Sequence, residues 1–121
     1  MSMASEALGA IGLWLSRRER KQDRDDIAVV SVLSAIDKTK IYLASRDRGE
    51  PADRAIEAEL VTLWTAAAVH IRRTDPDLAV RLRNKADYWT NPENWTDLEI
   101  IQNRIQIEAI EAEGRRLLES V

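Results

Sequence analysis

The sequence predicts an all-α protein, a four-helix antiparallel bundle with a long first helix whose N-terminal part can project as an arm. Three observations predict it. Only four glycines and three prolines interrupt the 121 residues, which leaves long unbroken segments of the kind helices prefer. Apolar residues recur at spacings of three and four, the period of one helix face. The breaks between these periodic segments are short, and short connections place neighbouring helices antiparallel. One core suffices, since single domains commonly take about 100–150 residues. The pattern divides the chain into an apolar segment plus charged helical arm, residues 1–26, and a bundle domain, residues 27–121.

Between Ile27 and Arg46, the residues Val29, Val32, Leu33, Ile36 and Leu43 fall on one helix face. The β-branched run "IAVVSV" would also suit a short buried strand; the periodic continuation through Leu43 decides for helix. "RDRGEPAD" breaks the pattern, with Gly49 suited to a C-terminal cap and Pro51 to the first turn of the next helix. That second helix is expected over Pro51–Arg73, burying Ile56, Leu60, Leu63, Ala67, His70 and Ile71 and leaving Glu57, Glu59 and Arg72 at its flanks. "TDPD" restarts the chain with Asp75 as N-cap and Pro76 at the first helical position. The third helix, Pro76 to Trp89, then carries Leu78, Leu82, Ala86 and Trp89 on one face, and Pro92 stops it.

The last helix has the strongest start signal. "TDLE" is a capping box of Thr96 and Glu99, and Trp95 before it can staple onto Ile100. Leu98, Ile101, Ile105, Glu108 and Ala112 make one row of this helix, with Ile100, Ile107, Gly114 and Leu117 beside it. So broad a stripe implies contact with more than one neighbour.

The N-terminal segment is the unusual feature. Nine consecutive apolar residues, Ala7–Leu15, give way at Ser16 to eleven polar ones, "SRRERKQDRDD". An apolar run with no polar face needs cover on every side. It is too short for a spanning helix, which takes about 20 apolar residues. Its positive charges follow the apolar run, the reverse of a secretory signal. Trp14 followed by Arg17, Arg18, Arg20 and Lys21 does have the order of a membrane–water boundary, an aromatic and then cations. The end of a longer anchor would read the same way. Without lipid, the polar stretch is rich in helix formers, so the first helix can run unbroken from Ala4 to Asp47, roughly 65 Å. The apolar tip, Leu8, Ile11, Leu13, Trp14 and Leu15, would then bury itself against copies of itself, another protein or its own bundle.

Motifs for chemistry are wanting. His70 is the single histidine, and the residue three before it is Ala67, so the Glu-x-x-His pairs of di-metal bundles are absent. Asp37 and Glu108 are expected to lean inward, as partners for Arg104 or solvent at a bundle end. Ser31, Ser34 and Ser45 lie in a helix-like run without a nucleophile elbow, no Gly-rich loop cradles phosphate, and no cysteine exists. Neither an enzyme nor a metal, cofactor or small-molecule substrate is expected. The absence of cysteine fits a reducing, cytoplasmic setting, with the cytoplasmic face of a membrane as the variant. Nucleic acid is not expected of a chain whose net charge is −3, although Arg17, Arg18, Arg20, Lys21 and Arg24 could make weak contacts. Tyr88, Trp89 and Trp95 cluster around one turn, either as a secondary interaction surface or as a lock for the corner. "NWT" at Asn94 matches a glycosylation acceptor that lacks a secretory context.

These features lead to a non-catalytic assembly or adaptor protein that uses its apolar N-terminal helix for self-association or partner docking. A peripheral membrane protein tethered by that segment and the basic cluster is the alternative.

Overall fold

The computed structural model describes the backbone of residues 3–120 and the side chains of residues 17–120. Among these residues the protein is all-helical, with no strand. Helix α1 runs unbroken over Met3–Asp47, followed by α2 at Arg54–Ile71, α3 at Pro76–Thr90, a 3-10 turn at Pro92–Asn94, α4 at Asp97–Gln102 and α5 at Ile107–Glu119. Helix α2 packs on both α1 and α3, and α5 packs on α1.

The core is a seam of residues at alternating spacings of three and four. Helix α1 contributes Ala28, Val32, Ala35, Thr39 and Tyr42; α2 contributes Glu57, Leu60, Trp64, Ala67 and Ile71; α3 contributes Leu78, Leu82, Lys85 and Trp89. This is the periodicity of helices packed at a shallow angle. The indole of Trp64 is wholly buried in this seam and donates to Thr39 Oγ1 at 2.9 Å. Helix α5 comes close to α1 at Gly114, where a Cβ would meet Ile36 Cδ1 at 2.8 Å.

Several caps follow the expected chemistry. Gly49 has φ +89°, and the bonds Gly49 N–H to Arg46 O and Glu50 N–H to Ser45 O close α1 with a Schellman motif. Asp75 caps α3 through Leu78 N–H, at 3.0 Å. In the capping box, Glu99 N–H donates to Thr96 Oγ1 at 3.1 Å and Thr96 N–H donates to Glu99 Oε1 at 3.2 Å.

Other expectations are corrected. Helix α2 begins at Arg54, because Asp53 accepts from Ala55 N–H and Ile56 N–H and outcompetes Pro51 as a start signal. It ends at Ile71, short of Arg73. Its buried face is rotated by about one position, so His70 is exposed, whereas Glu57 and Trp64 are inside. The last helix is two helices. Arg104 takes φ +56°, with Arg104 N–H bonded to Ile101 O and Ile105 N–H to Ile100 O, a second Schellman motif without glycine. Two contacts hold the turn: Ile105 is fully buried, and the Arg104 carbonyl accepts from Arg81 Nε at 3.0 Å. The break changes the phase of the apolar row, so Leu98, Ile101, Glu108 and Ala112 are exposed while Ile110, Gly114 and Leu117 are buried. Asp37 and Glu108 point to solvent and do not lean inward.

Candidate functional site

The stretch from Arg17 to Arg24 is helical with no Gly or Pro and consists mostly of straight-chain residues that lose little rotamer freedom in a helix. All eight of its side chains are exposed. Asp25 is half-buried, and Ala28 is the first buried residue of α1 among those described. Arg17, Arg18, Arg20 and Lys21 thus stand on a helix that has not yet entered the core. Leu8, Ile11, Leu13, Trp14 and Leu15 fall outside the residues whose side chains are described.

Where α1 leaves its neighbours, the ends of three helices frame a cleft of about 320 Å³. Ile71 and Leu117 form its floor with Ala28, and Lys21 and Asp25 stand on its rim. Around the helix, Lys21, Arg24 and Asp25 face His70, Arg73 and Thr74 across a second cleft of about 310 Å³. A third joins Arg24 and Ile27 to Val69, His70, Arg72 and Arg73. Residues nearly fifty positions apart in the chain therefore share one surface. Ile27 and Val69, each about half exposed, add an apolar component to it.

Charge pairing is uneven over the molecule. Lys38 lies 3.4 Å from Glu59, Arg81 3.3 Å from Glu113 and Arg83 3.4 Å from Asp87, and next to the clefts Arg116 lies 2.8 Å from both Asp75 and Glu113. Hydrogen bonds from Arg116 and Arg81 hold the Glu113 carboxyl below its usual range, and Lys40 does the same for Glu111. At the opposite end, Glu57 is buried and accepts from Tyr42 Oη at 2.6 Å and from Arg54. Tyr42 Oη in turn accepts from Asp53 N–H at 3.0 Å, and Arg54 donates to Thr90 O at 2.9 Å, which ties three helix ends together. Among the described residues, Arg17, Arg20, Lys21, Arg24, Arg72 and Arg73 enter no such ion pair.

The aromatic corner is packed inward. Trp89 is buried, Tyr88 and Trp95 are half-buried, and the rings meet edge-to-face with Tyr88–Trp89 centroids 4.8 Å apart. Lys85, only 5% exposed, places Nζ 5.0 Å from the Tyr88 ring centroid and 5.8 Å from that of Trp89. Burial pushes the Lys85 ammonium down to about 8, with Glu108 opposing the shift. Burial also raises the Tyr42 and Tyr88 hydroxyls above their usual value.

Among the described residues, no group of three or more His, Asp or Glu side chains could hold a metal ion. No helix among them is long and apolar enough to cross a membrane. Arg72 and Arg73 are adjacent in the sequence, but their position beside Lys21 and Arg24 depends on how α1 and α2 pair. No protein-family model, curated protein or solved structure matches this chain.

Proposed function

We propose that this chain is a non-catalytic assembly or adaptor protein whose apolar N-terminal helix docks on a second copy of itself or on a partner protein. One observation carries the reading. Helix α1 is continuous from Met3, and its burial begins at Ala28 among the described residues, so a straight helix carries Leu15 about 20 Å and Ala7 about 30 Å beyond the core. A continuous helix cannot turn back onto its own bundle. The body, residues 27–121, is then an antiparallel bundle and residues 1–26 its arm. The order of contacts along α1 and α2 supports that arrangement: Tyr42 meets Glu57, and Thr39 meets Trp64. Ala28 shares a cleft with Ile71.

Covering Leu8, Ile11, Leu13, Trp14 and Leu15 stabilises a contact by about 1.5–3 kcal/mol for each large side chain. Association and ordering costs offset much of that gain, so several copies acting together would hold far better than one. Light scattering of the full chain and of residues 27–121 tests the reading. A multimer that becomes monomeric on truncation, and also on Leu13→Glu in the full chain, is the expected result. Monomers throughout would sink self-association through this segment.

The exposed cations Arg20, Lys21 and Arg24, which enter no ion pair among the described residues, favour a second reading, a peripheral protein on the cytoplasmic face of a membrane, tethered by the same apolar segment. Lipid would then cover the tip, with Arg17, Arg18, Arg20 and Lys21 among the headgroups.

A further inference from the structure

The basic surface at the arm is larger than its linear cluster and is built from two separate parts of the chain. Lys21 and Arg24 stand on α1, and Arg72 and Arg73 follow α2; the clefts between them bring all four to one surface. All four side chains are exposed, and none is ion-paired among the described residues. Residues 17–26 together with 72 and 73 hold seven cations and four carboxylates, in a chain whose net charge is −3. The remainder of the molecule is correspondingly acidic. A charge distribution of this kind orients the protein as it approaches an anionic surface, with the arm end leading.

We propose that Arg72 and Arg73, with Lys21 and Arg24, form a cationic collar that is attracted to the anionic headgroups of a lipid bilayer into which the Ala7–Leu15 segment inserts. This rests on the membrane reading of the protein's function. The collar's position along α1 favours lipid over other polyanions. Nine apolar residues span about 13 Å of helix, roughly half of the ~30 Å hydrocarbon core, so the segment enters one leaflet without crossing. Arg24 lies nine residues after Leu15, again about 13 Å, past a headgroup layer of about 5–8 Å and within a Debye length of its outer edge. A nucleic acid would satisfy the cations and leave the apolar run uncovered. Asp23, Asp25 and Asp26 stand in the same region and limit the attraction, which makes the docking reversible.

Co-sedimentation of the full chain with phosphatidylcholine vesicles, with and without phosphatidylserine, tests the collar. Removing two cations from the collar, Arg72→Gln with Arg73→Gln, should weaken binding to the phosphatidylserine vesicles by about tenfold or more. Binding to pure phosphatidylcholine and the helical circular-dichroism signal should stay unchanged. Arg83→Gln, an exposed arginine paired with Asp87, should behave as the wild type. If the double variant loses helicity, Lys21→Gln with Arg24→Gln gives the same readout on the other side of the cleft. A folded double variant that binds phosphatidylserine vesicles as tightly as the wild type overturns the collar and leaves the tether standing. Equal wild-type binding to both lipids overturns the electrostatic claim. Wild-type binding to neither overturns the membrane reading itself and returns the arm to a protein partner.

Discussion

The two ends of this molecule treat charge differently, although the arm end also holds one ion pair, Arg116 with Asp75. At the end where α1 meets the start of α2, Glu57, Tyr42, Arg54 and the backbone of Asp53 and Thr90 form a closed set of hydrogen bonds around a buried carboxylate. At the arm end, Lys21, Arg24, Arg72 and Arg73 are gathered on the surface without ion-pair partners among the described residues. The first arrangement holds helix ends together, and its polar groups are already satisfied. The second leaves its cations with water, which places them cheaply and keeps them available to another molecule.

The sharpest way to break this contrast is to remove Glu57. Glu57→Ala strips the Tyr42 hydroxyl and Arg54 of their acceptor, and urea unfolding should show a loss of about 3 kcal/mol. A loss under about 0.5 kcal/mol would mean that the cluster does not organise this end.

Lys85 gives the next largest effect, because it is a cation buried without an ion pair among the described residues. Its folded pKa of about 8 lies below the 10.5 of a free lysine. Between those values the unfolded chain binds more protons than the folded one, so stability rises with pH. Chemical denaturation should show a gain of about 2 kcal/mol from pH 8 to pH 10. Above pH 10 the raised Tyr42 and Tyr88 reverse the trend, since the unfolded tyrosines ionise first. Lys85→Met should remove the rise; a slope that survives this change would assign it to another group.

Arg104→Gly should raise stability by about 1 kcal/mol, because a left-handed residue after α4 strains any side chain with a Cβ. Thermal melting that moves downward would show that the Arg104 side chain carries the turn. The smallest effect belongs to the collar. Arg72→Gln with Arg73→Gln should shift stability by no more than about 0.5 kcal/mol, and a larger loss would show these cations to be structural.

Much of the fold is legible in the sequence, and the failures have physical causes. Asp75–Pro76, Gly49 and the Thr96–Glu99 box act through local backbone chemistry, so each keeps its role in the structure. The break at Arg104 has no local signal, because it is set by the burial of Ile105 and by Arg81 on another helix. The buried face of α2 lies one position from the expected one, because Trp64 and His70 flank nearly equivalent stripes and the Trp64–Thr39 contact exists only once α1 and α2 pair. The linear basic cluster was visible, whereas its extension to Arg72 and Arg73 exists only once α1 and α2 pair.

Hydrogen–deuterium exchange of the full chain, read by peptide, tests the central claim that residues before Ala28 form a docking element independent of the core. Amides in helices without tertiary cover open readily, while those of a packed core exchange near the global rate. In dilute protein alone, peptides from residues 3–27 should exchange far faster than those from residues 28–47. Raised protein concentration or added phosphatidylserine vesicles should protect the first set and leave the second unchanged. Strong protection of residues 3–27 in dilute protein without vesicles would contradict the account, since the segment would then be covered by its own chain.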